Sequence, residues 1–138
     1  MYLIDTNVIS EARKGRSANP GVRTFLKQCA EQGEPLYLSV ITVGELRRGV
    51  ELIRRRGDTR QAVLLEAWLR QILEDYRDLI LPFDIEMADL WGRLRVPHLE
   101  NALDKQIAAM ALLYDLTLVT RNTADFVSTG VRVRDPFV

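Results

Sequence analysis

Four acids stand where this chain could do chemistry: Asp5, Glu45, Asp104 and Asp125. Asp5 ends the apolar triplet Tyr2-Leu3-Ile4, Glu45 and Asp104 lie at the start of helical patterns, and Asp125 follows the strand pattern Leu116 to Val119. Each acid has a modest local explanation, because a carboxylate at a helix start caps backbone N–H groups or favours the helix dipole, worth ~0.3–2 kcal/mol. Thr42-Val43-Gly44-Glu45 even has the S/T-x-x-E form of a capping box, which predicts a helix starting there with Glu45 in its first turn. Capping, however, does not require the four acids to converge. Like charges gathered in one pocket raise one another's pKa unless a cation neutralises them. Carboxylates with waters suit Mg²⁺ or Mn²⁺, whereas Zn²⁺ would want His and Cys ligands, of which the chain has one each, His98 and Cys29. A metal held by such acids can activate water and neutralise charge developing on a phosphodiester. Ser10 and Ser39 have no His partner, so the residues do not read as a hydrolase triad.

Whether the acids converge depends on the elements that carry them. Tyr2-Leu3-Ile4 has no polar alternation and reads as a strand buried on both faces, the habit of parallel sheets covered by helices. A short helix through Val8, Ile9 and Ala12 follows and stops at Gly15; Asn19-Pro20 then caps a second helix that ends at Gly33. Leu36 to Ile41 is a strand, and the helix carrying Glu45 runs from Thr42 to Gly57. Leu65, Trp68, Leu69, Ile72, Leu73 and Tyr76 recur at helical spacing as an ordinary core stripe. Leu79-Ile80-Leu81 is a short strand, and Asp84 caps a helix with Met87, Ala88, Trp91 and Leu94 on its apolar face. A loop over Arg95 to Asn101 leads to the helix containing Asp104. The chain then returns through Leu116 to Val119, a polar loop from Thr120 to Phe126, and an alternating edge strand at Val131 to Val133. This alternation predicts a single α/β domain over residues 1–138 with a sheet of about five parallel strands. In such a sheet helix N-termini and strand C-termini share one edge, so all four acids are delivered to it.

At 138 residues a sizeable core is available. Lys plus Arg (19) equals Asp plus Glu (19), so any basic groove must be local. Arg47, Arg48 and Arg121 lie nearest the acids and are the candidates for gripping a phosphate backbone, while Arg54 to Arg56 read as a solvated helix face. Cys29 reads as a small core residue. No apolar run is long enough to span a bilayer and Met1 leads straight into a strand, so the expected setting is cytoplasmic.

These stretches resemble PIN-domain ribonucleases, and among them the VapC-like toxins of bacterial toxin–antitoxin pairs, near the FitB branch. The resemblance rests on Tyr2-Leu3-Ile4-Asp5-Thr6-Asn7-Val8, Thr42-Val43-Gly44-Glu45-Leu46-Arg47-Arg48-Gly49, Trp91-Gly92-Arg93-Leu94, Asp104 with Ile107-Ala108-Ala109, and Leu118-Val119-Thr120-Arg121-Asn122 with Asp125-Phe126. It implies a three-layer α/β/α sandwich with a central, mainly parallel sheet, Mg²⁺ or Mn²⁺ dependence, and endonucleolytic RNA cleavage by metal-activated water. Asp5, Glu45 and Asp104 match the family's three central acids, and Thr6 a small hydroxyl residue that orders the metal shell. Either Asp125 or Asn122 fits the fourth position; Asp125 is the acid, with Asn122 assisting. The resemblance further implies a homodimer held inactive by a small antitoxin occupying the groove near the acids, and a larger complex that reaches DNA through that antitoxin. Two other readings stay open: a catalytically silent RNA-binding or interaction module on the same fold, and a Mg²⁺-dependent phosphatase or receiver-type acid pocket. Against the latter, Asp5-Thr6-Asn7 lacks a second acid at D-x-D spacing.

Overall fold

Alternation along three short apolar strands builds the molecule, because each strand sends successive side chains to opposite faces of one sheet. The computed structural model describes residues 1–138. Its elements are β1 (Tyr2–Ile4), α1 (Thr6–Ala12), α2 (Pro20–Gln32), β2 (Leu36–Ser39), α3 (Val40–Arg55), α4 (Thr59–Asp75), β3 (Ile80–Leu81), α5 (Ile85–Leu94), α6 (Ala102–Leu113), β4 (Thr117–Val119) and β5 (Val133–Arg134), with short 3₁₀ turns between. The strands form one five-stranded sheet in the order β3-β2-β1-β4-β5, every neighbouring pair parallel. Ile4, Leu38 and Val119 point to one face and are buried with Val8, Val22, Phe25, Leu46 and Leu69, which come from α1 to α4. Leu3 and Leu118 point to the other face and are buried with Met87, Ile107, Met110 and Phe126 from α5, α6 and the turn after β4. Helices therefore cover both faces of the sheet, giving three layers. No helix is long and apolar enough to cross a membrane.

Several local expectations are revised. The helix carrying Glu45 starts three residues before the capping-box reading places it. Ser39, the last residue of β2, is the N-cap, its Oγ accepting the Ile41 N–H at 2.9 Å. Thr42 is fully buried inside the first turn, and Glu45 belongs to the second turn. The physical reason is that Leu36-Tyr37-Leu38 ends at a serine, and Ser is a strong N-cap that a continuous apolar reading through Ile41 passes over. Thr123–Thr129 forms 3₁₀ turns where a loop was expected, and the last strand is displaced to Val133–Arg134 and exposed. On α5, Ala88 is exposed; Met87 carries the buried face.

Candidate active site

Strand register delivers the first acid. Ile4 of β1 pairs with Val119 of β4, so the residues that follow them, Asp5 and Thr120, emerge side by side at the carboxyl edge of the two central strands. The Asp5 N–H donates to the Val119 carbonyl at 2.9 Å, extending the ladder by one bond. Asp5 is 4% exposed, and both its oxygens are engaged. Oδ1 accepts the Thr6 N–H at 2.8 Å, which makes Asp5 the N-cap of α1, while Oδ2 accepts Thr120 Oγ1–H at 2.7 Å and Asn7 Nδ2–H at 3.2 Å. The local capping role and the position in an acid cluster coexist.

Sequence reasoning singled out neither Asn7 nor Thr120, yet they knit the two strand ends together. Asn7 Nδ2 also donates to Thr120 Oγ1 at 3.2 Å, its Oδ1 accepts the Arg121 N–H at 3.0 Å, and Thr120 Oγ1 accepts the Asn122 N–H at 3.1 Å. The usable signal was polar residues immediately after two buried strands, Asp5-Thr6-Asn7 and Thr120-Arg121-Asn122. Thr6 holds the second acid: its Oγ1 donates to Glu45 Oε1 at 2.8 Å, with Thr42 Oγ1 3.3 Å from the same hydroxyl.

The electrostatics report convergence. Asp104, in the first turn of α6, is pushed up to about 6, first by burial and then by the charges of Asp5, Asp125 and Glu45. Asp5 is raised by burial and by Asp125, against the lowering effect of its three hydrogen bonds. Glu45 is raised by burial and by Asp5, opposed by the Thr6 hydroxyl. Asp125 thus acts electrically on two of the other acids, whereas Asn122 is exposed and its side chain caps nothing. None of the chain's ion pairs involves any of the four acids. Lys105, adjacent to Asp104 in sequence and almost fully buried, spends its ammonium on the carbonyl of His98.

This donor set fits a hard cation bound through water. No three of the chain's His, Cys, Asp and Glu side chains stand together as a finished cage for one ion. Mg²⁺ does not need one, since it usually keeps several waters and is held by one or two carboxylates. Four mutually repelling carboxylates without a cation of the protein among them are a negative concentration that a divalent ion would relieve.

The three arginines expected near the acids part company. Arg47 is committed to Glu66 of α4 at 2.6 Å and Glu51 at 3.6 Å, within a network that includes Arg54 and Arg70. Arg48 and Arg121 are exposed and form no ion pair. Glu45 stands between two hollows. A cleft of about 320 Å³ runs from Thr6 and Glu45 along α1, α3 and α4 past Arg13, Val50, Arg56 and Trp68; a hollow of about 280 Å³ on the other side is lined by Val40, Ile41, Arg48 and Leu103.

With this geometry the chain can be compared with known proteins. Residues 2–130 match the PIN domain. The chain is 37% identical to the plasmid stability protein StbB of Pseudomonas syringae pv. tomato and 37% identical to toxin FitB of Neisseria gonorrhoeae, each match covering 99% of both proteins. It is 32% identical to VapC ribonuclease Y4jK of Sinorhizobium fredii, covering 99% of this chain and 98% of the relative. Among solved structures it superposes on a chain of FitAcB from Neisseria gonorrhoeae with a TM-score of 0.85 at 37% identity, covering 99% and 98% of the two chains. On a chain of FitAB bound to an IR36 DNA fragment the TM-score is 0.84 at 34% identity, with 99% and 95% covered. On the match over residues 2–130 and on relatives alike over nearly their whole length, the chain belongs to the PIN-domain family.

Proposed function

We propose that this protein is an endoribonuclease toxin of a toxin–antitoxin pair, cutting RNA phosphodiester bonds with the help of Mg²⁺ or Mn²⁺. The single observation that carries the chemistry is the set of four carboxylates coupled at one sheet edge without a counter-cation from the protein. The ribonuclease and toxin assignments are supported by the names of two relatives, a VapC ribonuclease and a FitB toxin. Asp5 and Asp104 would hold the ion, with Asp125 and Glu45 completing its water-mediated shell. When bound, such an ion activates water and offsets charge developing on the phosphate. The protein's own residues prepare the place: Thr120, Asn7 and the Thr6 N–H fix both oxygens of Asp5, and Thr6 fixes Glu45 through its hydroxyl. Orientation of this kind by hydrogen-bonded neighbours commonly changes metal affinity or activity 10–100-fold. Asn122 lies on the rim beside Thr120, and Arg48 and Arg121 are the cations left for the RNA backbone, contacts that position a strand without reading its sequence.

The same proposal extends to partners. A small antitoxin is the expected inhibitor, occupying the cleft beside Glu45, and a homodimer within a DNA-bound complex is the expected assembly. The support is that two of the similar solved structures are a FitAcB assembly and a FitAB assembly bound to DNA. A cytoplasmic location accords with this role.

The test is incubation of purified, antitoxin-free protein with a mixed cellular RNA pool in Mg²⁺, Mn²⁺ or chelator, followed by mapping of new 5′ ends. Discrete, metal-dependent cuts are expected. RNA binding without cuts in either metal would favour the silent module instead.

A further inference from the structure

We infer that Phe137 is a positioning residue for RNA: it is the platform that holds the guanidinium of Arg121, the residue after Thr120 at the strand end, ready for a phosphate. The inference rests on the ribonuclease reading above and assigns a role to a segment, Asp135–Val138, that carries none of the four acids.

Arg121 follows Thr120, whose hydroxyl holds Asp5, and its N–H is fixed by Asn7 Oδ1 at 3.0 Å. Its backbone is therefore part of the acid network. Its guanidinium lies over the Phe137 ring, 4.9 Å from the centroid, and makes no ion pair and no hydrogen bond within the chain. An arginine resting over an aromatic face keeps the N–H donors of its planar guanidinium free for a partner, and loses less freedom when a phosphate takes two of them. The charge stays available while the side chain is orientated.

The platform itself is anchored. Phe137 is half-buried against the core on the α1–α4 face, and its N–H donates to Asp135 Oδ1 at 2.9 Å. Asn19, the N-cap of α2, clasps the next residue from both sides: its Nδ2 donates to the Val138 carbonyl at 3.0 Å and its Oδ1 accepts the Val138 N–H at 3.1 Å. A rigid helix start, a clasped segment and an aromatic ring thus support an arginine whose backbone is tied to the acid network through Asn7. Arg48 has no such support.

The test is a double-mutant cycle of Phe137→Leu and Arg121→Ala on a defined single-stranded RNA that the wild-type protein cleaves. It reads KM and kcat, the direct dissociation constant in chelator, and melting temperature. Phe137→Leu should raise KM and the dissociation constant about two- to five-fold, as expected for losing one exposed cation–π contact, with kcat little changed. The same substitution in the Arg121→Ala protein should add nothing, and Phe137→Trp should restore wild-type KM because Trp is the strongest such platform. An equal rise in KM with and without Arg121 would overturn the inference and make Phe137 merely structural; so would an unchanged KM in a folded Phe137→Leu protein. Should Leu lower the melting temperature, the Phe137→Trp comparison decides alone. If the wild-type protein cuts no RNA in either metal, the ribonuclease reading fails, and the binding cycle in chelator still decides the role of Phe137.

Discussion

Thr120 and Asp5, 115 residues apart in sequence, are joined by a 2.7 Å hydrogen bond buried at the carboxyl edge of the two central strands. Thr120 donates its one proton to Asp5 and accepts from Asn7 and Asn122, so every hydrogen-bonding valence of the hydroxyl is used. Replacing it with Val keeps the shape but removes one of the two hydrogen bonds to Asp5 Oδ2, one of the two that Asn7 Nδ2 donates, and the side-chain acceptor of the Asn122 N–H. Thr120→Val should cost about 1–3 kcal/mol of stability and lower Mg²⁺ or Mn²⁺ affinity about 10–100-fold. Thermal melts and calorimetric metal titration measure both; a variant with wild-type metal affinity would show that this bond orients nothing that binds the ion.

Asp104 sets a pH dependence whose sign follows from its environment. Burial and three neighbouring carboxylates hold it at about 6, above its ordinary 3.8. Between those values the folded protein carries a proton that the unfolded chain has released, so this group weakens the fold progressively as pH rises from about 4 to about 6. In chelator, the melting temperature of the wild type relative to Asp104→Asn should therefore fall between pH 4.5 and 7, and added Mg²⁺ should narrow the gap. Parallel curves for the two proteins would contradict the coupling.

The arginines of α3 should separate by role. Arg47 is partly exposed and paired with Glu66 and Glu51, so Arg47→Ala should cost about 0–1 kcal/mol of stability per pair and leave RNA binding nearly unchanged. Arg48→Ala should leave stability unchanged and reduce the slope of log affinity against log salt by ~0.7, one phosphate contact on a single strand. RNA titrations at several salt concentrations distinguish them, and the reverse pattern would reassign both.

Gly21 tests how tightly residues 135–138 are seated. A Cβ there would lie 2.1 Å from the Pro136 carbonyl oxygen, which is backbone and cannot swing aside. Although Ala in place of Gly favours a helix by roughly 0.5–1 kcal/mol, Gly21→Ala should be destabilising by about 1–3 kcal/mol through displacement of this segment. A melting temperature at or above wild type would mean that the segment is loosely held.

Much of this molecule is local in origin and was legible. Tyr2-Leu3-Ile4 reads as a buried strand because it is apolar on both faces, Leu116 to Val119 reads as a strand, and Asn19-Pro20 and Asp84 are caps by residue type and do cap α2 and α5. Once strands and helices alternate, parallel-sheet geometry sends the acids to one edge without further information. What was not legible depends on tertiary neighbours. The start of α3 turned on whether Ser39 or Thr42 caps, and Thr42 is instead consumed by burial beside Thr6. Arg47 looked like a phosphate ligand until α4 supplied Glu66. The bonds from Asn7 and Thr120 span 113 to 115 residues, and no periodicity in sequence registers a pair at that distance.

The most direct measurement is the rate of cleavage of one defined RNA as a function of Mg²⁺ concentration, for the wild type, Asp5→Asn and Asp104→Asn, with circular dichroism on each. Cleavage by the wild type should rise and saturate with Mg²⁺ and vanish in chelator, and both variants should stay folded while losing at least about 100-fold in rate. Cleavage that persists in chelator, or an Asp5→Asn protein as fast as the wild type, would show that the acids at this sheet edge do not carry the reaction.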